Sequence, residues 1–258
     1  LRGPQGTLYG RNTTGGAVNF ITRKPSKDFH VTQKFGYQSH NGFTSRTSID
    51  TGEWGDTGLS ATVNFLYKKI GGYYDNIAVK DDKDPGAKNV RAGRIAINFD
   101  RSGKFRANYA FTHSASENGN VFGQLTAVSP LFASSVTQLP ELSSKRRDEI
   151  NLPTNGTDDV ILNMHNLTAE YDLTDNIVVK SITGYRNYQD TTAGPTFGEF
   201  TTFTLPIIFG GASAGGYPFL ANNDRRHEQF SEELQLNGSA GDKVAGGPRL
   251  TYATGAYF

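Results

Sequence analysis

The chain has 258 residues, a formal net charge of +1, no cysteine and only 36% hydrophobic residues. The missing cysteines exclude a disulfide scaffold and thiolate metal sites, and no basic block is long enough to track a phosphate backbone, which excludes nucleic acid as a partner. No apolar run approaches the roughly 18–20 residues of a membrane helix, so a closed β-barrel is the remaining way for this sequence to cross a bilayer.

The 30 glycines, 17 Phe and 12 Tyr favour strands and turns over helix. The first stretch, 2–25, is crowded with Gly3, Gly6, Gly10, Gly15 and Gly16 ahead of a short apolar strand predicted over 17–22. Such density suits tight turns packed against other backbone. Pro25 then ends that strand and opens a linker.

From residue 29 onward the sequence alternates with period two, the pattern of strands with one apolar and one polar face. Phe29, Val31, Phe35 and Tyr37 oppose Thr32 and Lys34, and Ala61, Val63, Phe65 and Tyr67 oppose Thr62, Asn64 and Lys68. Ile95, Ile97 and Phe99 oppose Arg94, Ala96 and Asn98. The alternation is cleanest at Phe105, Ala107, Tyr109 and Phe111, with Leu167, Ala169, Tyr171 and Leu173 repeating it. Strands are predicted at 29–38, 43–52, 57–69, 90–100, 104–115, 160–173, 176–189, 226–237 and 249–258. Parity is weaker at 43–52, 176–189 and 249–258, which rest on spacing and β propensity.

The connections divide into two kinds. Residues 53–56, 101–103 and 174–175 are tight turns, whereas 70–89, 116–159 and 190–225 are long and polar. The Gly- and Ala-rich piece at 238–248 falls where the next short turn is due. Strict alternation of short and long is the pattern of an outer-membrane barrel with periplasmic turns and external loops. A soluble sandwich has no reason to gather its long loops at one end.

The opening stretch then becomes specific. Arg2-Gly3-Pro4, Gly6, Leu8-Tyr9-Gly10, Arg11, Gly15-Gly16, Val18-Asn19-Phe20-Ile21-Thr22 and Lys24-Pro25 resemble, in order and spacing, the closing signature of the plug domain in TonB-dependent outer-membrane receptors. Phe230-Ser231-Glu232-Glu233-Leu234-Gln235-Leu236 resembles a barrel strand of the same family, with Glu232 in place of Gln and Gln235 in place of Arg. The resemblance implies an all-β fold, a partial transmembrane antiparallel β-barrel of about nine of roughly 22 strands. The C-terminal end of a plug domain (1–26) would precede the N-terminal part of the barrel (27–258). It further implies TonB-dependent active transport of a scarce nutrient, with a ferric siderophore first among candidates, across the outer membrane of a Gram-negative bacterium. Implied partners are the TonB–ExbB–ExbD complex, outer-membrane lipid and the small-molecule ligand. The TonB box would lie outside this sequence. The alternatives are a passive porin, which should lack the Arg2–Pro25 signature, and a soluble or surface β protein that binds glycans.

Within the family reading, Arg2 or Arg11 would pair with a glutamate on the inner barrel wall and latch the plug. Phe230, Leu234 and Leu236 share one parity, so Glu233 is the inward candidate and Glu232 falls on the lipid side. Otherwise the arginines pair within the plug or solvate a surface. Tyr73, Tyr74, Phe197, Phe200, Phe203 and Tyr217 in the long loops are candidates to face a ligand, against the plainer reading that such rings pack the loops together. His30, His40, His113, His165 and His227 show no metal spacing. No nucleophile elbow, Walker loop or triad spacing occurs, so neither an enzyme nor a bound cofactor is expected.

Overall fold

The computed structural model describes residues 3, 15–16, 22–80, 83–101, 103–124, 126–127, 130, 142–152, 154–195, 220–240 and 250–258. In chain order the strands are β1 (Phe29–Gln38), β2 (Gly42–Glu53), β3 (Leu59–Ile70), β4 (Asp75–Asn76), β5 (Lys88–Asp100), β6 (Phe105–Asn118), β7 (Glu149–Ile150), β8 (Thr157–Thr174), β9 (Ile177–Pro195), β10 (Leu220–Ala240) and β11 (Leu250–Tyr257). Nine of them form one sheet in the order β1-β2-β3-β5-β6-β8-β9-β10-β11, antiparallel at every pairing. Among the described residues these strands overlap the stretches predicted from the sequence. The two-residue strands β4 and β7 pair in parallel as a separate ribbon, and were too short to leave a periodic signal.

Directly paired residues lie on the same face, so the register carries each face across the sheet. One unbroken row runs Phe35, Ser45, Tyr67, Arg91, Ala115 and Ile161. Another, on that same face, runs Val31, Ile49, Val63, Ile95, Phe111, His165, Tyr185 and Phe230. Phe35 (71%), Phe65 (55%) and Phe230 (54%) are widely exposed on it. A soluble protein would cover such rings; a barrel turns them to lipid. The opposite, inward face carries Thr32, Ser48, Asn64, Arg94, Asn108 and Thr168, all polar. Aromatic pairs such as Phe35–Phe43 and Phe99–Phe105 sit near the two ends of the outward face, where interface belts form.

At one end the connections are tight. Trp54 N–H donates to the Leu59 carbonyl across the β2–β3 turn (2.9 Å), and the Gly58 carbonyl accepts from Asp100 N–H (2.8 Å) in the adjoining turn. Gly58 has φ +75°, and a Cβ there would stand 2.6 Å from the Cβ of Arg101, so only glycine lets the two turns close on each other. At the other end the connections are long, with one exception that corrects the expected alternation. Residues 39–41 join β1 to β2 at the loop end by a tight reversal, with His40 and Asn41 both left-handed (φ 58° and 51°). Two such residues match the twist of a hairpin, so no long loop is needed there. The strands β8, β9 and β10 also run further toward the loop end than predicted. The extra residues, such as Asp190–Thr192 and Asn222–Arg225, are polar on both faces and so carry no period-two signal. Their lengths of 18, 19 and 21 residues exceed the roughly 9–11 a membrane crossing takes. The surplus stands in water.

Candidate functional site: the inner wall and the loop cap

The segment before β1 runs along the inward face at the turn end. Arg23 donates through Nη2 to the Asp50 carboxylate, Ser26 N–H donates to Asp50 Oδ1 (3.2 Å), and Thr62 Oγ1 donates to the same oxygen. Asp50 is wholly buried. Arg94 Nη2 donates to Thr22 Oγ1 (2.9 Å), and Glu53 N–H to the Lys27 carbonyl (2.8 Å). Asp50, Thr62 and Arg94 all occupy inward register positions on β2, β3 and β5. Chain 22–28 therefore reaches β1 from inside the curved wall. The Arg23–Asp50 pair was not among the sequence candidates because the parity of β2 is weak. The available signal was an acid closing a row of inward Thr44, Arg46 and Ser48.

A second inward network lies near the same end. Arg106 on β6 grips Asp172 on β8 with two bonds (2.7 and 2.6 Å) and also touches Glu170 at 3.5 Å. Lys180 on β9 pairs with Glu170 at 3.3 Å. Bidentate arginine–carboxylate geometry fixes orientation as well as charge, so these bonds set the stagger of three strands. Above them a cavity of about 500 Å³ opens on the inward face, bordered by Arg23, Lys34, Arg46, Asn64 and Arg94.

At the loop end the described parts of two connections, 71–80 with 83–87 and 119–124 with 142–152 and 154–156, pack into a cap. Asn76 is fully buried: its Nδ2 donates to the Leu152 carbonyl (3.0 Å) and to Asn155 Oδ1 (2.7 Å), while its Oδ1 accepts from the N–H groups of Leu152 (3.0 Å) and Ala78 (3.2 Å). One side chain thus satisfies four groups from two loops, beside the β4–β7 ribbon and the buried Ile150 and Leu152. Lys83 pairs with Asp159 (3.1 Å), and Arg225 grips Asp190 with two bonds (2.8 and 2.9 Å) while Tyr188 donates to Asp190 Oδ2 (2.9 Å). In the exposed part of the cap, Asp75 beside Lys80 holds its ammonium above the usual lysine range.

Of the ligand-facing candidates, Tyr73 and Tyr74 lie in this cap, where Tyr73 packs on the β1–β2 reversal and Tyr74 on the cap's own side chains. Tyr73 meets His40 edge-on at 4.9 Å; Tyr74 meets Phe122 at 5.0 Å with Arg146 over its face at 5.9 Å. Both rings also border a cavity of about 430 Å³ that Lys88, Phe122, Arg146 and Asp158 share. Phe197, Phe200, Phe203 and Tyr217 lie outside the described residues, as do Arg2, Pro4, Gly6, Leu8, Tyr9, Gly10 and Arg11. Gly3 and Gly16 are described, with φ of 82° and 137°, and Gly15 beside them. Glu233 pairs with Ile182 on the inward face and accepts from Gln235 Nε2 (2.6 Å), whereas Glu232 points outward and accepts from Ser181 Oγ (2.7 Å). The histidines form no shared site. His165 stacks among Phe111, Tyr109 and Tyr185 on the outward face, and His113 bonds Asn163.

The same architecture recurs among known proteins. It matches the ferric yersiniabactin uptake receptor FyuA from Yersinia pestis with a TM-score of 0.70 at 18% identity, over 100% of this chain and 34% of that one. The siderophore receptor PiuA from Acinetobacter baumannii gives 0.72 at 15% identity, over 99% and 33%. BauA, the ferric preacinetobactin receptor of the same species, gives 0.69 at 13%, over 100% and 34%. In sequence, 97 residues are 31% identical to the pesticin receptors of Yersinia enterocolitica and Yersinia pestis, covering 38% of this chain and 14% of theirs. No family model matches. The chain carries barrel wall of the TonB-dependent outer-membrane receptor fold. That fold resides in the outer membrane of Gram-negative bacteria. The chain spans about a third of the length of the solved TonB-dependent receptors it matches.

Proposed function

We propose that the chain is part of a TonB-dependent receptor that takes up a ferric siderophore across the outer membrane, and that residues 1–26 are the end of its plug. The observation that carries this reading is the inward course of residues 22–26, tied to Asp50 and Arg94 inside the wall. A passive porin has no use for a lumenal segment bound at the root of its first strand. A gated transporter does, because something must fill the lumen and stay attached while it moves. The cargo in this reading is inferred from the solved relatives, which are receptors named for ferric yersiniabactin, for a siderophore and for ferric preacinetobactin. On this reading ligand is captured at the loop end, and the TonB–ExbB–ExbD complex draws on the plug from the periplasm.

The test is radiolabelled iron uptake by a strain deleted for the full-length receptor and by its complemented parent, each with and without TonB. Loss of siderophore-borne iron uptake on deletion, and equally on removal of TonB, is the expected result. Uptake that ignores TonB would move the reading to a porin. Unchanged iron uptake with a TonB-dependent growth defect on another nutrient would keep the transporter and replace its cargo.

A further inference from the structure

We propose that the cargo is a multiply negative chelate, and that an unpaired belt of cations on the inner wall is its counter-charge during passage. This deepens the reading given under Proposed function and rests on it. The belt follows from the register. The inward row that starts at Lys34 continues directly into Arg46. The row beside it, starting at Thr32 and Ser48, passes through Arg94 on β5 and Arg186 on β9 before ending at Gln229 on β10. Followed from β1 to β10, these two adjacent rows contain Lys34, Arg46, Arg94 and Arg186 and no Asp or Glu.

The contrast with the rest of the wall is what makes the belt informative. Below it, Asp50 holds Arg23, and Asp172 with Glu170 hold Arg106. Above it, Asp190 holds Arg225. Within it, Lys34, Arg46 and Arg186 have no ion pair among the described residues, and Arg94 has only the neutral hydroxyl of Thr22. Lys34 stands directly across from Arg46, a like-charge pairing that costs stability in a sheet. Glutamine at either position would relieve it and leave the strand polar.

Residues 1–27 bring the belt no counter-charge: they contain Arg2, Arg11, Arg23, Lys24 and Lys27 and no Asp or Glu. Lys34, Arg46 and Arg94 meanwhile border the inward cavity of about 500 Å³, within the range that takes a small ligand. Arginine forks and a lysine ammonium match carboxylate or phenolate oxygens. Those oxygens are also what an iron chelator presents, and an excess of them over the ferric charge leaves a net anion.

The experiment uses the full-length receptor, wild type and the triple variant Lys34→Gln/Arg46→Gln/Arg94→Gln, with two probes: an iron tris-catecholate, which is multiply negative, and an uncharged iron tris-hydroxamate. We expect TonB-dependent uptake of the catecholate complex to fall about tenfold or more, as loss of desolvated charge contacts does, while any uptake of the hydroxamate complex changes less than about twofold. Loss of uptake for both probes alike would mean the belt docks an acidic face of the plug, and would overturn the proposal. Unchanged uptake of the catecholate complex would overturn it too. Where the wild type imports neither chelate, the siderophore reading fails separately. Equilibrium binding of the tris-catecholate complex to the purified receptor then decides: an affinity that drops in the triple variant keeps the belt, and one that does not removes it.

Discussion

Arg23 and Asp50 are 27 residues apart in sequence and joined by a charge-assisted hydrogen bond on the inward face of the first strands. The two partners are unequal. Asp50 is buried, whereas the Arg23 side chain keeps 64% of its exposure. The anion also accepts from Ser26 N–H and Thr62 Oγ1, so it is the node and the arginine one of three donors.

That asymmetry makes the two deletions unequal. Asp50→Ala leaves Ser26 N–H and Thr62 Oγ1 without their acceptor and should loosen the 22–28 segment by about 1–3 kcal/mol. Amide exchange of those residues in the full-length receptor would speed up roughly tenfold to a hundredfold, with the β2–β3 ladder unchanged. Arg23→Ala should cost less than about 1 kcal/mol, because the guanidinium is largely solvated and screened. Equal protection in wild type and Asp50→Ala would show that the segment is held by something else.

Asn76 offers a test of the loop cap. Asn76→Ala removes the acceptor for two N–H groups and the donor for two oxygens in a buried setting, at a cost of about 2–4 kcal/mol. The hydrogen-bond partners of the Asn76 side chain, Leu152, Asn155 and Ala78, all lie in the loops, so the heat-resistant barrel should persist. The loss should appear as protease cleavage within 71–87 and 142–156. Asn76→Asp is the sharper variant: it keeps the acceptor but turns the amide donor into a second acceptor facing Asn155 Oδ1 and the Leu152 carbonyl, and should be no better than alanine.

What the sequence made legible follows from period two. Alternation was clearest where apolar residues fill one face, as at Phe105, Ala107, Tyr109 and Phe111, whereas 43–52, 176–189 and 249–258 were carried by spacing and β propensity. The polar extensions at Asp190–Thr192 and Asn222–Arg225 were hidden for the converse reason: both faces meet water, and hydrogen bonding with Arg225–Asp190 does the holding. The inward orientation of Glu233 and the outward one of Glu232 were readable from parity alone. The pairing of Arg23 with Asp50 was not, since it depends on where a non-repeating segment crosses the wall. The first hairpin was implicit in the strands predicted at 29–38 and 43–52, which leave four residues between them, but the left-handed pair His40–Asn41 that closes it carries no sequence period.

Arg106 tests geometry against charge. Arg106→Lys preserves the positive charge but cannot make two parallel bonds to Asp172 while also reaching Glu170. The expected cost is about 1 kcal/mol, and that of Arg106→Ala about 1–3 kcal/mol, since the latter leaves two half-buried carboxylates with Lys180 paired to Glu170 and only the nearby charge of Lys104 on Asp172. Urea unfolding of the receptor in lipid vesicles would report both. Indistinguishable midpoints for lysine and arginine would mean that charge alone matters there.

Glu232 is the one acid in the outward row between Phe230 and Leu234, and its carboxylate leans on Ser181 Oγ of the neighbouring strand. A carboxylate among lipid-facing residues is unfavourable by an amount that grows toward the midplane, and less so for acids than for basic residues. Replacing it with leucine should therefore raise the unfolding free energy in vesicles by about 1–2 kcal/mol. Ser181→Ala alone should lower it by about 1 kcal/mol, because the carboxylate loses one donor and keeps Thr183 as the other. In the Glu232→Leu background the same serine substitution should be nearly silent. That non-additivity is the signature of a direct bond; additive effects would mean that Ser181 and Glu232 act on the barrel independently.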